Sequence, residues 1–393
     1  MRDMKDQVAI VGMGCSKFGE RWDCSMSDLI VEAAKECYAD AGVGPEDIQC
    51  CYFSNGTMTA QAASQCADAL MLRDIPILRN ENYCCSGHVG LFNAWLAVAS
   101  GAFDVVMVVG AEKLKDTGFP GLGTGRGITP VREARRTAPG SFSQIASRYF
   151  EDHHLAYDEG RELLARIAVK NHHNGAMTPR AHFHKEITVE DALRAPIISA
   201  PFGLYDCCGN SDGAACAILV SADRAKQYRD DPIYIKGFGI AMDAMLPHYR
   251  PHFNWADFGA LQASSQKAYE MAGIKDPRAE LDMAEVHDCF TATELIIYEN
   301  FRFTEKGGAI KDIREGFFEC TGGLPVNVDG GLKCFGHPVG ASGIRMTYEC
   351  YKQLQHKADN PNRQLSKCDR ALSQTFGGGP QISAVLITGN ELG

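Results

Sequence analysis

No apolar run in this 393-residue chain reaches the ~18 residues needed to cross a bilayer, so a membrane-spanning helix is not expected. The opening stretch MRDMKDQVAIVGMG has neither the long apolar segment nor the small-residue cleavage site of a secretory signal. A cytoplasmic location is therefore the expectation. Zinc sites usually announce themselves by paired ligands such as C-x-x-C, and no such pair occurs, so no metal is expected on this chain. Sixteen cysteines are nevertheless present, scattered along a core-forming chain, and in the cytosol they read as free thiols. The doublets Cys50-Cys51, Cys84-Cys85 and Cys207-Cys208 cannot close on themselves without strain. Positive charge is in deficit too. A net charge of −10 and the lack of a basic stripe interleaved with aromatics exclude general nucleic-acid binding.

What is present is the balance of a soluble globular protein, 45% hydrophobic and 22% charged, with length enough for two substantial halves. The chain opens with a short apolar strand, Val8–Val11, followed by Gly12-Met13-Gly14. This begins like a dinucleotide fingerprint, but Lys17 stands where the third glycine belongs, and no acidic residue completes the pattern. A helical pattern then runs from Ser27 to about Ala41 and stops at Gly42, ahead of a strand at 49–53. Much later the order repeats. A strand at 234–238 leads to a helix ending Tyr269-Glu270-Met271-Ala272-Gly273, which mirrors Tyr38-Ala39-Asp40-Ala41-Gly42, and a strand at 284–287 follows. Each half continues with a glycine-rich turn, a helix and a buried strand. The helices run from about Ser86 to Ser100 and from near Gly340, and the strands are DVVMVVG, then ALSQTF and ISAVLIT. Helices alternating with near-continuous apolar strands argue for an α/β fold with sheets covered on both faces. The echo argues for an internal duplication, against the plainer alternative of shared α/β punctuation.

Between the halves, residues 115–200 differ in character and read as an inserted cap. The segment GLGTGRGITPVREARRTAPG carries Arg126, Arg132, Arg135 and Arg136, a local basic patch for an anionic ligand or else a solvated loop. The run NHHNGAMTPRAHFHKE holds His172, His173, His182 and His184, but not at the i, i+4 spacing of a helical metal pair. The expected boundaries are 1–114 for the first half, 115–200 for the cap, 201–230 for the return of the first half and 231–393 for the second.

Four segments carry chemistry. In ENYCCSGHVG (81–90), two cysteines precede a helix that is apolar all round, with Val89, Leu91, Phe92, Ala94, Trp95, Leu96 and Val98, and such a helix is buried. A cysteine at its N-terminus meets the positive end of the macrodipole, so its thiol is expected to ionise below the ~8.5 of a free cysteine. The alternative is that both cysteines are small core fillers. AEVHDCFTATEL (284–295) places His287, Asp288 and Cys289 at the end of a buried strand, and GGLKCFGHPVGASG (330–343) places His337 in a turn entering a helix. SQTFGGGPQIS (373–383) presents three glycines after a strand, which bring bare backbone N–H groups close to a ligand. Singly, each has a bland structural reading.

In this order, C-x-S-G, then H-D-C-F, then G-H-P-x-G-A-S-G, then a terminal glycine triplet, the set resembles the thiolase superfamily. The H-D-C-F form is similar to its sterol-carrier-protein-type and archaeal branch. The resemblance covers essentially the whole chain, including YDCCGNSDGAACAILV (205–220). It implies a thiolase fold of two duplicated halves in five layers, α-β-α-β-α, with a cap inserted in the first half. It implies an acyl-CoA C-acyltransferase with coenzyme A as substrate. By the family's pattern Cys84 is the nucleophile and Cys85 packs. His337 accepts the Cys84 proton and helps bind the thioester oxygen, and His287 completes that site. Many members take a second catalytic cysteine from a C-terminal C-x-G, but here Thr375-Phe376-Gly377 stands in that place, which passes the acid–base role to Cys289. The N–H groups of Cys84 and Gly377 form the second oxyanion hole. The resemblance further implies a homodimer or larger assembly, and a small zinc-ribbon/OB-fold subunit as partner.

Degradative cleavage of a branched or aromatic 3-oxoacyl-CoA is the expected activity. Its rivals are acetoacetyl-CoA formation and retro-aldol cleavage of an acyl-CoA on the same fold, which does not need the nucleophilic cysteine. Ketosynthase-like condensing enzymes lack a second catalytic cysteine, and a lipid-binding scaffold would need none of the four positions.

Overall fold

The computed structural model describes residues 4–57, 61–118, 137–243, 253–379 and 381–393. The first stretch of chain forms β1 (Val8–Cys15), α1 (Met26–Ala41), β2 (Cys50–Ser54), α2 (Ala62–Leu70), β3 (Ile77–Asn80), α3 (Ser86–Ala99) and β4 (Val105–Lys113). Next come α4 (Ala138–Asp152), α5 (Tyr157–Ala176), α6 (Val189–Arg194) and the small pair β5 (Ile197–Ser199) and β6 (Phe202–Gly203), before β7 (Asp212–Ser221) returns to the main sheet. The remainder gives β8 (Ile233–Met242), α7 (Gly259–Ala272), α8 (Pro277–Glu280), β9 (Met283–Glu285), α9 (Thr291–Asn300), α10 (Ala309–Arg314), α11 (Gly331–Cys334), α12 (Val339–Leu354), β10 (Arg370–Gly377) and β11 (Ile382–Gly389).

The duplication is visible in the strand order, β3-β2-β4-β7-β1-β8-β11-β10-β9. Read outward from its middle, the second side runs first strand, last strand, third strand, second strand (β8, β11, β10, β9), and the first side matches it position for position as β1, β7, β4, β2, with β3 added at the edge. The directions agree as well: β1–β7, β7–β4, β8–β11 and β11–β10 are antiparallel, whereas β4–β2 and β10–β9 are parallel. The two sides join through β1 and β8, over the pairs Ala9–Tyr234 and Ile10–Ile233.

Alternation along the strands sorts the layers. Ala9, Val11, Cys51, Phe53, Met107 and Cys216 pack under α1, whereas Val8, Ile10, Cys50, Val106, Val108 and Ala217 face the core that contains α3 and α12. Helix α12 touches β4 and β7 of one side and β9, β10 and β11 of the other, and α3 lies against it. Helices α1 and α7 cover the outer faces of the two sides. The result is the α-β-α-β-α arrangement, with α3 and α12 as its central layer.

The glycines of the opening strand belong to this packing and not to a nucleotide. A Cβ at Gly12 would lie 2.6 Å from Cys37 O, and one at Gly14 2.0 Å from Ala33 O, both carbonyls of α1. In the second half Gly237 and Gly239 let β8 approach α7 in the same way, at 2.3 and 1.9 Å from Ala268 O and Ser264 O. The echoed helix endings match too: Gly42 and Gly273 are both left-handed caps, each donating its N–H to the tyrosine carbonyl four residues before, Tyr38 and Tyr269. Helix α3 is nearly all buried, with Leu96 the one large apolar residue left exposed. All sixteen cysteines are free thiols, and among the described residues no helix is long and apolar enough to cross a membrane.

Candidate functional site

The first turns of α3 and α12 meet in the central layer because both helices are stripped to glycine where they cross. A Cβ at Gly87 would lie 3.0 Å from Gly340 O and 3.1 Å from Gly343 N, and one at Gly343 would lie 2.7 Å from His88 N. The crossing brings Cys84, just before α3, beside His337, just before α12. The approach to Cys84 is a tight turn with Tyr83 in the left-handed region at φ 54°. Ser86 holds it: its hydroxyl donates to Tyr83 O at 2.6 Å and accepts from Asn82 N at 2.8 Å. Its carbonyl accepts from Ser54 Oγ and Asn80 Nδ2. Cys84 is left partly exposed, while Cys85 is fully buried with its thiol directed at Thr375 O.

His287 lies just beyond β9 and is fixed by its own backbone, whose N–H donates to Gln374 Oε1 at 3.1 Å. Its ring packs on Phe376, 4.0 Å between centroids, and meets the His337 ring edge to face at 5.1 Å. One donor atom from each of Cys84, His287 and His337 falls within 4.8 Å of the others. Asp288 ties the two histidine segments together. Its carboxylate accepts from Leu332 N at 2.6 Å and Lys333 N at 3.3 Å, so it caps α11, the turn that leads to His337. Cys289 is buried, 3.9 Å from Thr293 Oγ1, and its carbonyl accepts the N–H of Cys208 at 2.9 Å. Gly377 lies against the Cys84 turn so closely that a Cβ there would be 2.5 Å from Asn82 O.

The electrostatics overturn one expectation. Burial pushes the Cys84 thiol well above its ordinary range, and the neighbouring Cys208 and Cys85 push it further. Burial likewise raises Cys289, with Cys208 and Cys84 adding to the shift. Although Cys84 is partly exposed and not sealed off, the loss of solvation around its thiol outweighs the pull of the helix end. The histidines move the other way. Burial lowers His337 to about 3 and His287 well below its ordinary value, so both rings are neutral near pH 7. The tautomer of His337 follows from its partner. Ser342 Oγ donates to Pro338 O at 2.9 Å and therefore accepts from His337 Nδ1 at 2.7 Å, which leaves Nε2 unprotonated and without a partner.

Arg126, Arg132, Arg135 and Arg136 lie outside the described residues. His172, His173 and His182 bond separately, to Lys185 O, Glu186 Oε1 and Ser211 Oγ, and with His184 form no metal-like cluster. Sequence reasoning missed three contributors. Cys208 is one of a doublet whose partner strip, 289–290, only the fold reveals. Ser342 sits inside the quoted G-A-S-G run as an apparent small residue. Phe142 stacks on Phe290 at 4.9 Å and on Phe376 at 6.0 Å, and Phe202 stacks on Phe290 at 5.2 Å, a buried aromatic cluster that reaches His287 through Phe376.

Two family models match the chain, "Thiolase, N-terminal domain" over residues 8–223 and "Thiolase C-terminal domain-like" over residues 247–390. The acetyl-CoA acetyltransferase of Methanothermobacter thermautotrophicus is 35% identical over 98% of this chain and 99% of its own length. The benzoylsuccinyl-CoA thiolase subunit BbsB of Thauera aromatica is 29% identical, with 96% of each chain covered. Among solved structures, the Ltp2-ChsH2(DUF35) aldolase superposes with a TM-score of 0.85 at 23% identity, over 99% of both chains, a likeness of fold.

Proposed function

The chain belongs to the thiolase superfamily, in its sterol-carrier-protein-type branch, and is an acyltransferase that uses CoA substrates; on that premise we propose that it cleaves a 3-oxoacyl-CoA with free CoA through a Cys84 acyl-enzyme. The observation that carries the reading is the convergence of one thiol and two neutral imidazoles from three separate segments at the crossing of α3 and α12. Neither Cys84 nor His337 is ionised at rest, so the proton must leave as the sulfur attacks. His337 Nε2, with its lone pair free, takes that proton while Cys84 Sγ bonds to the 3-keto carbon. The N–H groups of Cys84 and Gly377 stabilise the oxyanion. As the carbonyl re-forms, the C2–C3 bond breaks and its electron pair becomes the enolate of the departing thioester. The imidazoles of His337 and His287 hold the enolate oxygen. Cys289 protonates its carbon, then takes the proton of an incoming CoA thiol, whose sulfur displaces Cys84 from the acyl group as His337 Nε2 returns its proton to the departing Cys84 sulfur.

The 29% identity to a benzoylsuccinyl-CoA thiolase subunit supports degradation of a branched or aromatic substrate. The 35% identity to an acetyl-CoA acetyltransferase supports the alternative, acetoacetyl-CoA formation. An assembly of two or more copies in the cytoplasm is part of the proposal. Strand β3 is an unpaired sheet edge in the single chain, with Leu78 exposed on it. A small zinc-ribbon/OB-fold subunit is the proposed partner, supported by the DUF35 chain named with the aldolase neighbour and by the subunit designation of BbsB.

Thiolysis of short, branched and aryl 3-oxoacyl-CoA esters, with intact-protein mass spectrometry of the acylated enzyme, tests the reading. Acyl mass on Cys84, its loss in Cys84→Ala, its retention in Cys85→Ala, and an absolute need for free CoA are expected. Turnover without CoA would favour the retro-aldolase. Acylation that depends on Cys85 instead would displace the nucleophile by one residue.

A further inference from the structure

Cys84, His287 and His337 have a donor geometry with a use besides thiolysis. Both histidines are fully buried, and three of their four ring nitrogens, both of His287 and Nε2 of His337, have no hydrogen-bond partner among the described residues. Buried polar atoms are seldom left so. Together with the sulfur they offer one soft and two borderline donors within 4.8 Å of one another.

We propose that this trio is a reversible Zn²⁺ site, and that the bound metal holds the enzyme inactive. The donor set of one cysteine and two imidazoles suits zinc. Zn–S and Zn–N bonds of about 2.3 and 2.0–2.1 Å put the corners of a tetrahedron roughly 3.3–3.7 Å apart, so the trio closes on the metal by shifts of about 1 Å. On binding, the Cys84 thiol proton goes to solvent and a Zn–S bond replaces it. Two imidazole lone pairs form the Zn–N bonds, no atom changes oxidation state, and the fourth corner is left to water. His337 already has the outer partner that orients a ligating imidazole, Ser342, itself anchored on Pro338 O. Arg345, whose charge acts on both histidines, is buried against Asp329 and Glu285, so that charge is opposed before a dication arrives. The ligands come from three distant segments, which is why the spacing of cysteines and histidines gives no hint of the site. The site stands on geometry alone and would bind metal in a thiolase or an aldolase alike.

The test uses the full-length protein, freed of metal with a chelator and given Zn²⁺ in a buffered series. Alkylation of each cysteine by iodoacetamide is followed peptide by peptide, with turnover measured in parallel. One equivalent of Zn²⁺ should slow alkylation of Cys84 on the order of tenfold or more and abolish turnover, and a chelator should restore both. The zinc K-edge spectrum of the one-to-one complex should show one sulfur and two imidazoles. His287→Ala and His337→Asn should each lose the protection while Cys84 still alkylates. Unprotected Cys84, protection retained in both variants, or a shell built only of sulfur or only of oxygen would overturn the proposal. The wild-type spectrum decides even where a variant fails to fold.

Discussion

Replacing Ser342 by alanine removes a group that touches neither the nucleophile nor any substrate atom, yet it should cripple the chemical step. The hydroxyl donates to Pro338 O and accepts from His337 Nδ1, so it is what keeps the proton on Nδ1 and the lone pair on Nε2. Without it the Nδ1–H is buried and unpaired, at a cost of about 1–3 kcal/mol. The ring relieves that cost by moving its proton to Nε2 or by turning away, and both remove the base from Cys84. At one decade per 1.36 kcal/mol, the reactive tautomer falls roughly 5- to 150-fold. The expected result is a drop in kcat of that size with KM little changed, since Ser342 is fully buried behind the histidine. Rapid-quench mass spectrometry should show acylation of Cys84 slowed by the same factor, and urea unfolding should confirm that the variant is folded. A folded Ser342→Ala enzyme that acylates Cys84 within about twofold of wild type would refute the tautomer argument and, with it, His337 as the base.

Cys289→Ser should still form the acyl-enzyme, but it should lose exchange of solvent deuterium into the released thioester and fall in turnover by about 10²–10⁴-fold. Unchanged exchange would end its acid–base role. In Gly377→Ala the new methyl would lie 2.5 Å from Asn82 O and 2.9 Å from Tyr83 Cβ, so the turn presenting Cys84 must shift. A loss of about 1–3 kcal/mol in stability and a lower kcat are expected, read by chemical denaturation and steady-state thiolysis; wild-type kcat would free Gly377 of any positioning duty. His88 bonds Thr375 Oγ1 and Ser373 Oγ, and burial holds it neutral down to about 3. The unfolded chain binds a proton at that residue below ~6.5, so its contribution to stability is intact above that pH and is lost as pH falls toward 3, by about 1.4 kcal/mol per unit. His88→Gln should therefore be less stable than wild type at pH 7.5 but lose stability less steeply between pH 6.5 and 4.5. Parallel urea curves for the two proteins across that window would contradict a neutral His88.

The layers could be read from the chain because they obey local rules. Apolar alternation places Val106 and Met107 on opposite faces, and left-handed caps at Gly42 and Gly273 mark two copies of one helix ending. Gly12 and Gly14 resemble the start of a nucleotide fingerprint that Lys17 already breaks, and the structure gives them another duty, the close approach of α1. The site obeys no local rule. Its thiol is raised by desolvation, which a reading of one helix end does not register, and the tautomer of His337 is set by Ser342, which acts through the ring it orients. Cys208 reaches the centre because residues 207–208 pair with 289–290, a partnership between the two halves. A duplicated fold of this kind makes such blindness unavoidable. Its candidate site lies where the central helices of the two copies cross, with Cys84 from one and His287, Cys289, His337 and Gly377 from the other, and no short window of sequence spans them. The glycines at that crossing, Gly87, Gly340 and Gly343, are the one trace the arrangement leaves in the chain: two helices written with small residues on their first turns, each beside a residue that can do chemistry.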